Sequence, residues 1–163
     1  MELIPLLLKE MNQEAATTRK MLARVPPEKF DWQPHPKSMS LKRLVEHIAE
    51  LPGWVTLSVS TNGLDFESNP YQPRQVESTG ELLDYFEETL KSGIESLEKA
   101  DINTFDKEWT LSNGSHIINR TSKYEMIRIS FSQIVHHRAQ LGVYLRLLDI
   151  PIPGSYGPSA DEV

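Results

Sequence analysis

The chain has 163 residues, no cysteine and a formal net charge of −6. That length is one ordinary domain, taken here as residues 1–163, with a core large enough to need neither disulfides nor a structural metal. The missing cysteines exclude disulfides, thiolate metal sites and cysteine nucleophiles, so any metal must be held by nitrogen and oxygen ligands. The acidic balance argues against a nucleic-acid partner, since holding a phosphate backbone depends on clustered Lys and Arg.

The first apolar patch, Met1 to Leu8, is broken by Glu2 and Pro5 and runs into Lys9 and Glu10. It reads as the start of a helix and not as a signal peptide. No apolar run approaches the roughly 18 residues needed to cross a bilayer, so the expected location is cytoplasmic with no membrane partner. Helix one is predicted over 3–24, with Leu8, Met11, Ala15, Thr18 and Leu22 at helical spacing. Pro26-Pro27 cannot continue it. Helix two is predicted over 40–59, capped by Ser38 or Ser40, with Leu41, Leu44, Ile48, Leu51 and Val55 as its stripe. Pro52-Gly53 should kink it or end its regular part.

Residues 61–77 are rich in Asn, Gly, Pro and Ser and read as a loop. Ser78-Thr79-Gly80-Glu81 has capping-box spacing and opens helix three, 79–100, with Leu83, Phe86, Leu90 and Leu97 on one face. Around Asn113-Gly114 a short β-hairpin or an irregular crossing is expected. A second box, Ser122 to Glu125, opens the last helix, 122–149, which Pro151 ends. At 1.5 Å per residue its roughly 25 central residues span about 37 Å, the width of the domain. These elements predict an all-α fold: a four-helix bundle with long connections and a short hairpin before the last helix.

With cysteine absent, histidine is the one soft nitrogen ligand, and the five are His35, His47, His116, His136 and His137. At 100° per residue, Met126, Ser130, Gln133, His137, Gln140 and Tyr144 share one sector of the last helix, a core stripe carrying polar groups. His136 points about 100° away from His137, so one of the two faces inward. His47 borders the apolar stripe of helix two, one turn before Leu51, and can meet His137 across the core. Neutral, hydrogen-bonded core histidines would give the same pattern. His35 lies among prolines and His116 follows Asn-Gly-Ser, both positions that suit the surface. Trp54 and Tyr144 fit either a pocket wall or the core, and Glu50 and Arg138 fit either orienting partners of the imidazoles or surface ion pairs.

Three segments carry a resemblance: Pro34-His35-Pro36-Lys37-Ser38-Met39-Ser40-Leu41, the stretch from Leu44 through Glu46-His47 to Pro52-Gly53-Trp54, and Gln133-Ile134-Val135-His136-His137-Arg138-Ala139-Gln140-Leu141. Together with the tail Pro151-Ile152-Pro153-Gly154-Ser155-Tyr156-Gly157-Pro158, they resemble the DinB/YfiT-like metalloenzyme family over nearly the whole chain. The resemblance implies a divalent cation held by three histidines, one from the second helix and two separated by three residues on the last. Those positions fall on His47, Gln133 and His137. Gln133 departs from the pattern, because an amide oxygen is a neutral and weaker donor than imidazole.

Three site readings follow. His47, Gln133 and His137 bind Zn²⁺, Ni²⁺ or a similar ion with water completing the shell, or His136 swings in as the missing ligand, or the site is degenerate and metal-free. The resemblance further implies a metal-dependent enzyme acting on a small molecule, a thiol-dependent transferase or a hydrolase, with a low-molecular-weight thiol as co-substrate and a homodimer as the assembly. The alternative is a non-catalytic, stress-associated dimeric bundle. Neither a catalytic residue nor an organic cofactor site is assigned by sequence.

Overall fold

The computed structural model describes residues 2–162. Four helices form: α1 (Leu3–Leu22), α2 (Leu41–Ser60), α3 (Thr79–Glu98) and α4 (Lys123–Leu147). Each lies within two residues of its sequence-based bounds. Ser40 is the cap chosen at α2, its Oγ accepting from Arg43 N at 3.2 Å. Ser122 and Glu125 close a full capping box at α4. At α3 only half of the box forms: Ser78 Oγ accepts from Glu81 N, whereas the Glu81 carboxylate takes Glu77 N.

The buried faces follow the predicted stripes with small rotations. In α3 Leu82 is buried and Leu83 is only packed against the core; in α1 Leu7 takes the place expected of Leu8. All five predicted positions of α2 are buried. Pro52 does not end α2, which runs on for two further turns. Neighbouring helices receive the carbonyls there: Thr89 Oγ1 of α3 donates to Ala49 O at 2.5 Å and Ser130 Oγ of α4 to Leu51 O at 2.7 Å. Gly93 lets α3 close on this stretch, since a Cβ there would stand 2.6 Å from Pro52 O.

The fold is mostly helical but not all-α. The expected hairpin exists as β2 (Glu108–Asn113) and β3 (His116–Ser122), turning at Gly114 with φ +57°. A third strand, β1 (Gly63–Asp65), lies in the segment read as loop and pairs parallel with β2, Gly63 opposite Thr110. Only glycine fits there, as a Cβ would meet Thr110 O at 2.4 Å. Three residues are too few for a periodic signal, and the partner strand is more than forty residues away.

Helices α1 and α2 stand diagonally, each packed against α3 and α4. Consecutive helices can be diagonal because the connections are long. This arrangement sets α2 beside α4, and hence His47 beside His137.

Candidate functional site

His47 and His137 meet across the α2–α4 seam with ring centroids 4.7 Å apart and planes inclined at 73°. Each imidazole is engaged through Nδ1 by a residue three positions on. His47 Nδ1 donates to Glu50 Oε1 at 2.5 Å, and His137 Nδ1 donates to Gln140 Oε1 at 2.7 Å. Both acceptors are carbonyl or carboxylate oxygens, so each ring carries a proton on Nδ1, and a neutral ring held this way has its lone pair on Nε2. Among the described residues neither Nε2 has a hydrogen-bonding partner. The repeated spacing His47-Ile48-Ala49-Glu50 and His137-Arg138-Ala139-Gln140 is a sequence signal for this arrangement, since residues three apart are neighbours on a helix.

Burial of the His137 ring pushes its pKa below the usual histidine range, the Gln140 bond opposes this, and the neighbouring His47 and His136 add to the lowering. At neutral pH His137 is therefore an uncharged base with an available lone pair.

A cavity of about 310 Å³ adjoins His47. Trp54 and Leu51 of α2, Gln133, Ser130 and Met126 of α4, and Leu111, Ile118 and Asn119 of the hairpin complete its wall. Gln133 lies one turn before His137 on α4 and thus shares the seam. The hairpin residues reach it through an irregularity: Leu111 pairs with Asn119 and Ser112 with Ile117, leaving Ile118 without a partner position. The wall is mainly apolar with a few polar groups, the usual make-up of a small-molecule site. A second cavity, about 320 Å³, shares His47 and Trp54 and is bounded by Arg43, Glu50, Phe66 and Tyr71.

The other sequence candidates separate. His136 is exposed and lines a surface cleft with Glu10 and Arg128, yet its ring stands edge-on to that of His137 with centroids 4.8 Å apart. His35 and His116 are exposed. Trp54 walls both cavities, whereas Tyr144 packs edge-on against Trp32 and donates to Met39 O at 3.2 Å. Glu50 contacts an imidazole but Arg138 turns away, to Glu14, Thr18 and Tyr156. Gln140 and Tyr71 are members of the site that reading the chain did not assign; Gln140 was visible in its i+3 spacing, and Tyr71 had no local signal. Among the described residues no group of three or more His, Asp or Glu side chains stands at metal-holding spacing, and no helix is long and apolar enough to cross a membrane.

Solved structures of low sequence identity share this fold. A DinB-like protein from Bacillus subtilis superposes with a TM-score of 0.72 at 14% identity, over 94% of this chain and 99% of that one. A DinB-like protein from Bacillus cereus ATCC 10987 gives 0.70 at 17% identity, over 92% and 95%. The mycothiol-dependent maleylpyruvate isomerase gives 0.59 at 11% identity, over 86% of this chain and 61% of that longer one. Comparison with curated proteins finds no match. The profile of the DinB family matches residues 2–163, and with the helix order and hairpin described above it establishes that the chain belongs to the DinB family.

Proposed function

We propose that this protein is a divalent-metal-dependent enzyme acting on a small molecule, with His47, His137 and Gln133 as the protein ligands. The observation that carries the reading is the imidazole pair at 4.7 Å, each ring oriented through Nδ1 with Nε2 unengaged. The rings stand side by side across the seam, centroids 4.7 Å apart, so an ion between them would be held by both imidazoles. An acceptor on the far nitrogen is the usual support of a metal-binding histidine, fixing its tautomer and raising its basicity. The third donor is an amide oxygen, compatible with Zn²⁺ or Ni²⁺ but weaker than a third imidazole.

A bound divalent ion supplies Lewis acidity, which brings the pKa of a thiol or of water toward neutrality. The chain's own residues do the rest. Glu50 and Gln140 hold the rings, Trp54, Leu51 and Ile118 give the cavity an apolar face, and Asn119 offers hydrogen bonds to a bound molecule. The shared fold with a mycothiol-dependent isomerase supports a low-molecular-weight thiol as co-substrate. We extend the proposal to a homodimer: Val143 and Leu147 are exposed one turn apart on α4, an apolar strip that a second copy would cover.

Elemental analysis of tag-free protein tests the centre. Near-stoichiometric metal in the wild type, lost in both His47→Ala and His137→Ala, is the expected result, and light scattering on the same samples gives the dimer mass. Wild type that carries no metal and takes up neither Zn²⁺ nor Ni²⁺ would sink it. Gln133 favours the second reading, a non-catalytic dimeric bundle whose degenerate site binds a small molecule without metal.

A further inference from the structure

Tyr71 belongs to neither helix that carries the imidazoles. It lies in the connection between β1 and α3, and its hydroxyl donates to Glu50 Oε2 at 2.6 Å while accepting from Arg43 Nη1 at 2.8 Å. The Arg43 guanidinium also sits over the Tyr71 ring, 4.8 Å from its centroid. Arg43, His47 and Glu50 are spaced i, i+4, i+7 on α2 and so share one face of it. The two oxygens of Glu50 are thereby divided, one to Tyr71 and one to His47 Nδ1.

We propose that Tyr71 is a positioning residue for His47. It holds Glu50 in the rotamer whose Oε1 takes the Nδ1 proton, and so decides which imidazole nitrogen keeps its lone pair. A glutamate side chain has several rotamers, and ordering it against solvation costs entropy that one bond to His47 must offset alone. The phenol supplies a second anchor on the opposite oxygen. Arg43 occupies the phenol's acceptor side, so the phenol proton has one direction left, toward Glu50. The backbone that delivers Tyr71 is itself tied to α2: Val76 N donates to Oε1 of buried Glu46 at 3.0 Å, one turn before Glu50. The connection thus reaches α2 through two carboxylates four residues apart.

This role serves the metal-dependent reading of the site and rests on it for its purpose, yet the tautomer of His47 is a property of the metal-free protein. Long-range ¹H–¹⁵N spectra of the imidazoles, recorded on metal-free protein at a pH where both rings are neutral, read it directly. In wild type His47 should show the Nδ1–H pattern. Tyr71→Phe, which keeps the ring over Arg43 and removes only the hydroxyl, should shift His47 toward the mixed pattern of Glu50→Ala. His137 should stay unchanged in both, since its partner Gln140 is untouched, and its signals report an intact fold. Zn²⁺ affinity by chelator competition should fall at least about tenfold in Tyr71→Phe, the range seen when an orienting partner is lost, and less in Arg43→Gln. An unaltered His47 pattern in Tyr71→Phe, or a wild type without the Nδ1–H tautomer, overturns the positioning role. Wild type that binds no Zn²⁺ would instead defeat the metal reading, leaving the tautomer result to decide the role of Tyr71.

Discussion

Two Arg–Tyr–Glu triads brace this bundle, and they end differently. In one, Arg138 donates to the Tyr156 hydroxyl at 2.9 Å, that hydroxyl contacts Glu14 at 2.9 Å, and the guanidinium also pairs directly with Glu14 Oε2 at 2.7 Å. Thr18 Oγ1 takes a further Arg138 bond at 3.0 Å. In the other, Arg43 reaches Tyr71 and Tyr71 reaches Glu50, but the second oxygen of Glu50 goes to His47. The first network closes on itself between α1, α4 and the C-terminal segment. The second hands its last acceptor to a ring whose other nitrogen has no protein partner. Saturated polar networks hold elements together, while one that ends on an unpartnered ring nitrogen leaves that atom to solvent or to a ligand.

His137 and Arg138 are adjacent on α4, so substituting them one at a time is the most direct way to break this contrast. The Arg138 side chain is 2% exposed and that of Glu14 15%, so Arg138→Met strands a largely buried carboxylate. Removing one partner of such a pair destabilises by about 3–5 kcal/mol. Thermal unfolding should show that loss in Arg138→Met, with metal content of the folded fraction unchanged. His137→Ala should unfold much closer to wild type while losing its metal. If Arg138→Met kept full stability and lost metal, the division of labour between the triads would be wrong.

The proposed third ligand, Gln133, is where the contrast can be sharpened. Gln133→His places a third imidazole one turn before His137 and on the wall of the cavity that His47 lines. With the His47–His137 geometry intact, Zn²⁺ affinity should rise by tenfold or more, about 1.4 kcal/mol per tenfold. Chelator competition measures it. An unchanged affinity would mean that the seam is not built as a cage and would favour the non-catalytic bundle.

How far these features could be read in the chain depended on how local they are. The four helices were legible because their apolar spacing repeats over twenty residues or more, and the Ser122–Glu125 box because its parts are three apart. Helical phase turned His47 and His137 inward, but only the packing of α2 against α4 sets them face to face. Strand β1 was hidden by its length and its distant partner, and the persistence of α2 through Pro52 by hydroxyls that arrive from α3 and α4. Tyr71 sits among Asn, Pro and Gln with no periodicity, so only the folded connection brings it to Glu50. Arg138, left open between orienting an imidazole and an ion pair, takes the ion pair with Glu14, because the 100° step between neighbours sends it and His137 to different networks.

The smallest expected effect concerns His137 without metal. Its pKa is depressed in the folded protein, chiefly by burial, while the unfolded chain titrates near 6.5. The folded state therefore binds fewer protons than the unfolded one as pH falls below about 6.5, and stability declines until the pH has passed the lower folded value. Above that window both states hold a neutral ring and the group contributes no pH dependence. In His137→Gln the amide occupies the seam without titrating, so urea unfolding of chelator-treated protein should show a shallower loss of stability on the acid side of pH 6.5 than in wild type. Equal acid-side slopes in the two proteins would mean that the His137 ring is solvated enough to accept its proton without penalty, and the burial that keeps its lone pair available would then have to be sought elsewhere in the seam.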